Sequence, residues 1–457
     1  MYTEDTIAAI ATPPGCGGIG IVRVSGSLAD QVGRAIFRGI PGGGFDSHRL
    51  YYGHFHRSVD GALIDEGMAV LMRAPRSYTR EDVLELHSHG GYLVVRAILQ
   101  ACVAAGARLA EPGEFTRRAF LNGRIDLCQA ESVLDIITSR TEASLALAQR
   151  QREGLLGREL FAVSDLLTGA LATLEAYIDF PDEDIDPALQ VAVSQRVTTA
   201  QQQLYRLVGS FRFGRVLREG VSVLLVGKPN SGKSSLLNAL SCEERAIVSP
   251  VPGTTRDLIE EIISVDGLPV RIVDAAGIRR HHGDAVEQEG IRRTVGRLSE
   301  ADLVLFLADA SRPLDHDDLE ILALLADRPY LTVLTKSDLP PCLEPSQLPP
   351  SLTTLSLSCL TGAGLPQLRS ALFDYFMHDA SSSPDDLVAI SNVRHRDLLQ
   401  RAVGALDRFS RHAAQDLTYD LLSIDLRDAL SAVGEVTGAT TPDAVLDRIF
   451  SSFCIGK

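Results

Sequence analysis

A continuous apolar block, Val221 to Val226, runs into a glycine-rich stretch and then into Ser235-Leu-Leu-Asn-Ala-Leu240, which reads as a buried strand, a turn and a helix start. Further on, Ile259 to Val265 and Pro269 to Val273 flank Asp266-Gly267, a dipeptide that favours a tight hairpin. Three more apolar runs follow, Leu303 to Ala308, Tyr330 to Leu334 and Thr354 to Ser358, each separated by a helix-length mixture of polar and apolar residues. The pattern predicts a mostly parallel sheet wrapped by helices, with ligands at the carboxyl ends of its strands.

On either side of that region the period changes to that of a helix. Ser164 to Ile178 places Leu167, Leu171, Leu174 and Ile178 on one stripe, and Leu399, Val403, Leu406 and Phe409 start a second helical set. Between sheet and second set, Asp379-Ala-Ser-Ser-Ser-Pro-Asp-Asp386 reads as a linker. A C-terminal piece of this length cannot readily bury its apolar faces alone, so packing against the upstream helices is expected, with the sheet region as an insertion. For the last helix, Thr441 is the expected N-cap and Pro442 the first helical residue, with Asp443 complementing the dipole; Leu446, Ile449, Phe450 and Phe453 form its apolar face. Burying that face would hold Cys454 to Lys457 in a fixed place.

Composition narrows the setting. The 457 residues suffice for about three domains. A formal charge of -15 argues against nucleic-acid binding mainly through a basic surface. Seven scattered cysteines without a Cys-x-x-Cys pair indicate neither a disulfide framework nor a zinc knuckle. The acidic start Met1-Tyr-Thr-Glu-Asp-Thr6 does not look like a signal peptide, and no apolar run reads as long enough to span a bilayer, so a soluble, cytoplasmic protein is expected.

The chemistry collects at the strand ends. Gly227-Lys-Pro-Asn-Ser-Gly-Lys-Ser234 between strand and helix is a phosphate cradle: glycines let successive amides point inward, and the helix N-terminus adds partial positive charge. Asn230, Ser231, Gly232, Lys233, Ser234 and Ser235 are the candidate contacts, with Lys233 on the β/γ-phosphates and the Ser234 hydroxyl on magnesium. Asp274-Ala275-Ala276-Gly277 supplies an Asp that would hold the magnesium through water and a Gly amide that would sense the γ-phosphate. Thr335-Lys336-Ser337-Asp338 selects the base, because guanine offers a ring N-H and an exocyclic amine that one carboxylate accepts together, whereas adenine offers no such pair. Thr335 stands where such boxes usually have Asn. Ser358-Cys359-Leu360 lies where backbone amides would close on the guanine oxygen, and Gly253-Thr-Thr-Arg-Asp257 suits a switch in which Thr255 reaches magnesium and Thr254 supports it. Ras-like enzymes carry a water-orienting Gln after Asp-x-x-Gly. Here Ile278 cannot do that work, and no arginine finger is identifiable.

Thr12-Pro-Pro-Gly15 with Gly20-Ile-Val-Arg-Val-Ser-Gly26, Tyr78-Thr-Arg-Glu-Asp82, Pro112-Gly-Glu-Phe-Thr116, the G-domain boxes and Phe453-Cys-Ile-Gly-Lys457, in this order over nearly the whole chain, resemble the MnmE (TrmE) family of tRNA modification GTPases. The resemblance implies an N-terminal α+β folate-binding and dimerisation domain (1–120), a discontinuous helical domain (121–217 and 380–457) and an inserted Ras-like P-loop G domain (218–379). It implies potassium activation, with Asn230, Ser249, Val251 and Thr254 around the cation and Ser249, Pro250, Val251, Pro252, Gly253, Thr254 and Thr255 in the nucleotide site. Glu287 matches the water-orienting position, with Glu289 a close alternative because Arg279 to Asp284 differs in length. Arg23, Glu81, Arg124 and Lys457 map to a tetrahydrofolate pocket; Arg124 is often Lys in the family. Cys454 is a candidate catalytic residue.

The implied function is the first step of carboxymethylaminomethyl or aminomethyl modification at carbon 5 of the wobble uridine in certain tRNAs. Methylene- or formyl-tetrahydrofolate would be the folate cofactor and the flavoprotein MnmG the partner, in a heterotetramer or larger assembly with the homodimer. Two rival classes are a ribosome-assembly GTPase and a regulatory switch. Neither a plausible KH clamp nor a basic tail supports the first, and the folate-like N-terminal pattern with the Cys-Ile-Gly-Lys tail argues against both. Lipidation at Cys454 is disfavoured by Gly456 and Lys457 after it.

Overall fold

The computed structural model describes residues 5–40, 42, 44–57, 60–180, 187–243, 260–274, 298, 300–377, 388–415 and 417–456. They divide into two compact units, Met1–Leu134 with Leu430–Lys457, and Asp135–Ala429.

The first unit is built on a seven-stranded sheet formed by β1 (Ile7–Ile10), β2 (Gly17–Ser25), β3 (Phe37–Arg38), β4 (Leu50–His56), β5 (Leu63–Met72), β6 (Val83–Gly90) and β7 (Arg108–Leu109). Their spatial order is β3-β4-β5-β6-β2-β1-β7, with only the β1–β7 pair parallel. Helices Ala29–Ile36 and Tyr92–Ala104 contribute Val32, Ile36, Ile98 and Cys102 to a core with Val22, Val24, Leu84 and Leu86. Alternation along β2 and β6 therefore leaves Arg23 and Glu85, directly paired in register, on the opposite face.

A satellite core sets the C-terminal tail. Leu446, Phe450 and Phe453 pack with Ala119, Ile125, Leu127 and Ala130, so the apolar face expected for the last helix, Asp443–Ser451, is buried. Its cap differs from expectation. Pro442, with φ -63° and ψ 146°, occupies the N-cap, and Thr441 stands one residue before it, its hydroxyl donating to the Glu435 carbonyl at 2.9 Å.

The second unit contains a six-stranded sheet of β8 (Val221–Val226), β9 (Glu260–Val265), β10 (Leu268–Asp274), β11 (Leu303–Asp309), β12 (Tyr330–Thr335) and β13 (Thr354–Ser356). The order is β13-β12-β11-β8-β10-β9, parallel except for the β9–β10 hairpin. Asp266 and Gly267 take φ 51° and 87° at the hairpin turn, as the dipeptide predicts. Both faces are covered, which explains the unbroken apolar runs: Val221, Val223 and Leu225 enter one core and Leu224 and Val226 the other.

Around this sheet the long helices behave as the stripes indicate, with one correction. Leu399, Val403, Leu406 and Phe409 are buried in Val393–Ala414. Leu167 and Leu174 are buried in Leu155–Asp179, whereas Leu171 and Ile178 are half-buried. That 25-residue helix, with a mean hydropathy of 1.3 over its most apolar window, is long and apolar enough by length and composition to cross a membrane, contrary to the sequence expectation. Arg158-Glu159, Ser164-Asp165 and Glu175 interrupt its apolar residues, so no unbroken run stands out in the sequence. One stripe of it is buried, and the helix packs on Pro187–Gly209, which in turn packs on Val393–Ala414.

Candidate functional site

Phosphate-loop geometry follows from how β8 ends. A Cβ on Gly227 would lie 2.4 Å from the Leu307 carbonyl, so only glycine lets the chain leave the sheet there. Asn230 and Gly232 take φ 65° and 93°, and helix Lys233–Glu243 begins immediately after them. Buried Lys233 donates from Nζ to the carbonyls of Gly227 (2.7 Å) and Lys228 (2.6 Å), with Ser231 Oγ at 3.4 Å. These contacts curl the loop around its own ammonium group. Ser234 and Ser235 are exposed at the helix start.

A second lysine ties the loop sideways. Lys228 Nζ lies 2.5 Å from Asp315 and 2.8 Å from Asp318, at the capped start of helix His316–Leu324. Burial lowers the Lys228 pKa, but the two carboxylates outweigh it and hold the group above the ordinary lysine value. Lys228, Asn230, Ser231, Asp309, Arg312 and Leu314 line a cleft of about 40 Å³ beside the loop. A more open groove of about 720 Å³ lies elsewhere, along Gln190 to Gln202 of one helix, and its lining has no charged side chain.

The base-selecting segment is tied to the same loop. Thr335, 1% exposed at the end of β12, places Oγ1 2.8 Å from the Ser231 carbonyl and 3.2 Å from the Ala308 carbonyl. Lys336 takes φ 58° and pairs with Asp309 at 2.6 Å. Buried Ser358 donates to Asp338 Oδ1 at 2.5 Å and accepts from the amides of Leu360 and Thr361, both at 3.3 Å. Burial, and then the Asp338 charge, push the Cys359 thiol up, which marks the carboxylate as a near neighbour. Ser337 and Asp338 are exposed, as is Leu360.

Thr335 thus makes the bridge to the phosphate loop with a hydroxyl. Thr335→Val keeps the shape but removes the donor, and is expected to speed release of a fluorescent GDP analogue by about tenfold, whereas Thr335→Ser stays near the parent rate. Stopped-flow displacement reads both, and equal rates for Val and parent would rule the bridge out.

Polar and aromatic groups also gather in the first unit. Arg23 Nε donates to Glu85 at 2.9 Å, and its guanidinium lies 5.6 Å from the Tyr78 ring centre and 5.8 Å from that of Phe115. Arg124 lies 5.1 Å from the same Tyr78 ring, so two cations flank one aromatic. Glu85 is held below its ordinary carboxylate value by His87, whose Nε2 lies 3.5 Å from Oε2; burial opposes this, and Arg23 adds to the depression. Arg23 Nη1 also donates to the Gly456 carbonyl at 3.2 Å. Gly456 takes φ 94°, and a Cβ there would meet the Ile10 carbonyl at 2.3 Å, so the tail is seated against β1. Cys454 is exposed just before it.

The sequence profile described as "GTP-binding protein TrmE N-terminus" matches residues 6–124, and that described as "MnmE helical domain" matches 127–454. Proteins named tRNA modification GTPase MnmE are 55% identical in Geobacter sulfurreducens and 41% identical in Acetivibrio thermocellus, each over all of both chains. The chain belongs to the MnmE family. It is a GTP hydrolase acting in tRNA modification. Among solved structures, the G domain of the T. maritima FeoB iron transporter matches with a TM-score of 0.27 and 26% identity, covering 34% of this chain and 98% of that one.

For the MnmE residues expected from sequence, the outcome is uneven. Asn230 to Ser235, Thr335 to Asp338 and Ser358 to Leu360 stand at the C-terminal end of one sheet; in the first unit Arg23 and Arg124 flank Tyr78, and Glu81 is bonded to Ser25 and Arg118. The Asp274 backbone closes β10. Ser249, Pro250, Val251, Pro252, Gly253, Thr254, Thr255, Ala275, Ala276, Gly277, Ile278, Glu287, Glu289 and Lys457 lie outside the described residues, as does the expected linker Asp379 to Asp386. Sequence reasoning missed Ser25, Thr79 and Arg118, which contact or support Glu81. Ser25 and Thr79 were within the quoted motifs, but nothing in a string of letters says which neighbours meet in space. Among the described residues, six cysteines are free thiols, in line with the absence of a disulfide framework.

Proposed function

We propose that the chain works with the flavoprotein MnmG to place a carboxymethylaminomethyl or aminomethyl group on carbon 5 of the tRNA wobble uridine. Methylene-tetrahydrofolate supplies the one-carbon unit, and a potassium-activated GTPase cycle drives the conformational steps. The observation that carries the folate part is the pair Arg23 and Arg124 on Tyr78, with the tail held to Arg23 through Gly456 and Glu81 bonded to Ser25 in the same unit. A carboxylate accepts the paired donors of a pterin, while guanidinium groups suit an anionic glutamate tail. Lys457 would add a third cation and Cys454 a thiol beside the pocket.

In the G domain, Lys233 and Ser234 hold phosphates and magnesium with Thr255 and Asp274, Asn230 with the 249–254 segment holds potassium, and Glu287, or Glu289 in its place, orients water. The proposed domains are 1–120 for folate and dimerisation, 121–217 with 380–457 for the helical domain, and 218–379 for the G domain. The homodimer, in the cytoplasm, would bind MnmG and tRNA. An acidic chain suits a partner that supplies much of the tRNA-binding surface. Deleting the gene and measuring wobble uridines by mass spectrometry tests the proposal. The aminomethyl-type modifications should vanish; their persistence would leave a GTPase without this tRNA chemistry.

A further inference from the structure

We infer that Ser25 and Thr79 are positioning residues that orient the Glu81 carboxylate toward the donor edge of a bound pterin, through a one-way relay of hydroxyl protons. The inference rests on the folate reading of this pocket and adds residues that the family motifs do not single out.

The direction of the relay follows from counting protons. Ser25 Oγ lies 2.7 Å from Glu81 Oε2 and 2.6 Å from Thr79 Oγ1, and Thr79 Oγ1 lies 3.2 Å from the Glu81 amide nitrogen. An ionised carboxylate only accepts, so the single Ser25 proton goes to Glu81. Thr79 must then donate to Ser25, and its own oxygen accepts from the Glu81 N-H. The ring runs from the Glu81 amide through Thr79 and Ser25 back to the Glu81 side chain, with each hydroxyl donating once. Both hydroxyl residues are completely buried, so water does not compete for these bonds.

Two further restraints act on the same carboxylate. Arg118, with a side chain 3% exposed, directs Nη1 at both Glu81 oxygens, each at 3.3 Å, and is itself fixed by Asp5 at 2.6 Å and Glu114 at 2.9 Å. The Ser77 hydroxyl donates to the Glu81 carbonyl, and Asn122 Nδ2 donates to the Thr79 carbonyl at 2.6 Å, which fixes the loop carrying both residues. Glu81 keeps 17% of its side chain exposed. Its backbone and both carboxylate oxygens are thus braced from inside while part of the side chain stays exposed. Such bracing suits a ligand with two adjacent donors in a fixed plane, and the ring N-H and 2-amino group of a pterin present that pair. The cost of orienting the carboxylate is then met in folding rather than at binding.

The test is calorimetric titration of the full chain with 5-formyltetrahydrofolate and with its 2-desamino analogue. Ser25→Ala and Thr79→Val should each weaken the first ligand by about tenfold and erase most of the preference over the second, while Thr79→Ser, which keeps the hydroxyl, stays near the parent. In a double-mutant cycle, Ser25→Ala should cost much less when Glu81 is already Gln. Melting temperatures serve as the control for folding. Parent-like affinity and preference in both Ser25→Ala and Thr79→Val would overturn the relay while leaving the folate site in place. Independent losses for Ser25 and Glu81 would show that Ser25 does not act through the carboxylate. A parent chain that binds neither ligand would remove the folate reading and the relay with it.

Discussion

Asp338→Asn is expected to lower the affinity for GTP by on the order of a hundredfold or more, and to make XTP the better substrate. The reasoning depends on Ser358. Its oxygen already accepts from the Leu360 and Thr361 amides, so its proton goes to Oδ1 of Asp338, 2.5 Å away. In Asp338→Asn that proton still requires an oxygen partner, which turns the new amide nitrogen toward the base. Guanine then meets a donor with its own donors, whereas the xanthine C2 oxygen accepts. A side chain free to flip would lose affinity for both bases; one held by Ser358 exchanges one preference for the other. Turnover and equilibrium binding with GTP and XTP decide this, and unaltered selectivity would contradict the assignment of Asp338 to the base.

How much of this was legible beforehand varies with the range of the interaction. Strand β8 matches its apolar run residue for residue, because both faces of a covered parallel strand must be apolar and the next glycine ends it. The Asp266-Gly267 hairpin was equally legible, since positive φ at two successive residues restricts the sequence locally. Thr441 misled because the helix starts one residue later than its capping chemistry suggests, with Pro442 at the N-cap and the Thr441 side chain turned to the Glu435 carbonyl. Helix Leu155–Asp179 misled in the other direction, its apolar residues being interrupted by charged and polar ones.

Sites divide along the same line. The phosphate loop and the guanine segment could be read because each is a short string with its chemistry carried locally, and the parallel sheet brings their strand ends together. Thr335 read as a departure, yet its hydroxyl reaches the Ser231 carbonyl across 104 positions of sequence. The cluster in the first unit depends on contacts such as Arg23 to Gly456, 433 positions apart, and Ser25 to Glu81, 56 apart. No local pattern encodes those, and only the resemblance to a family pointed to some of the participants.

Replacing potassium by sodium is expected to slow GTP turnover by at least about a hundredfold while leaving nucleotide affinity near its starting value. An arginine finger contributes about 10³ to 10⁵ in rate, and a cation standing in its place must supply a comparable part of the charge. Ile278 cannot orient water, so the chain has no Ras-like alternative. Asn230 is the proposed ligand that a variant can test. It is exposed, with φ 65°, a conformation in which Ala would be strained and the loop itself disturbed. Asn230→Gly avoids that difficulty, because glycine adopts the same backbone freely while the side chain with its amide oxygen is lost. The variant should retain GTP binding, hydrolyse slowly, and respond equally to potassium and sodium. A slow variant that still prefers potassium would move the cation's main ligands to the 249–254 segment. Equal rates for the parent chain in the two salts would remove the cation site altogether, and the charge that builds up on the transferred phosphoryl group would then have to be met by another group.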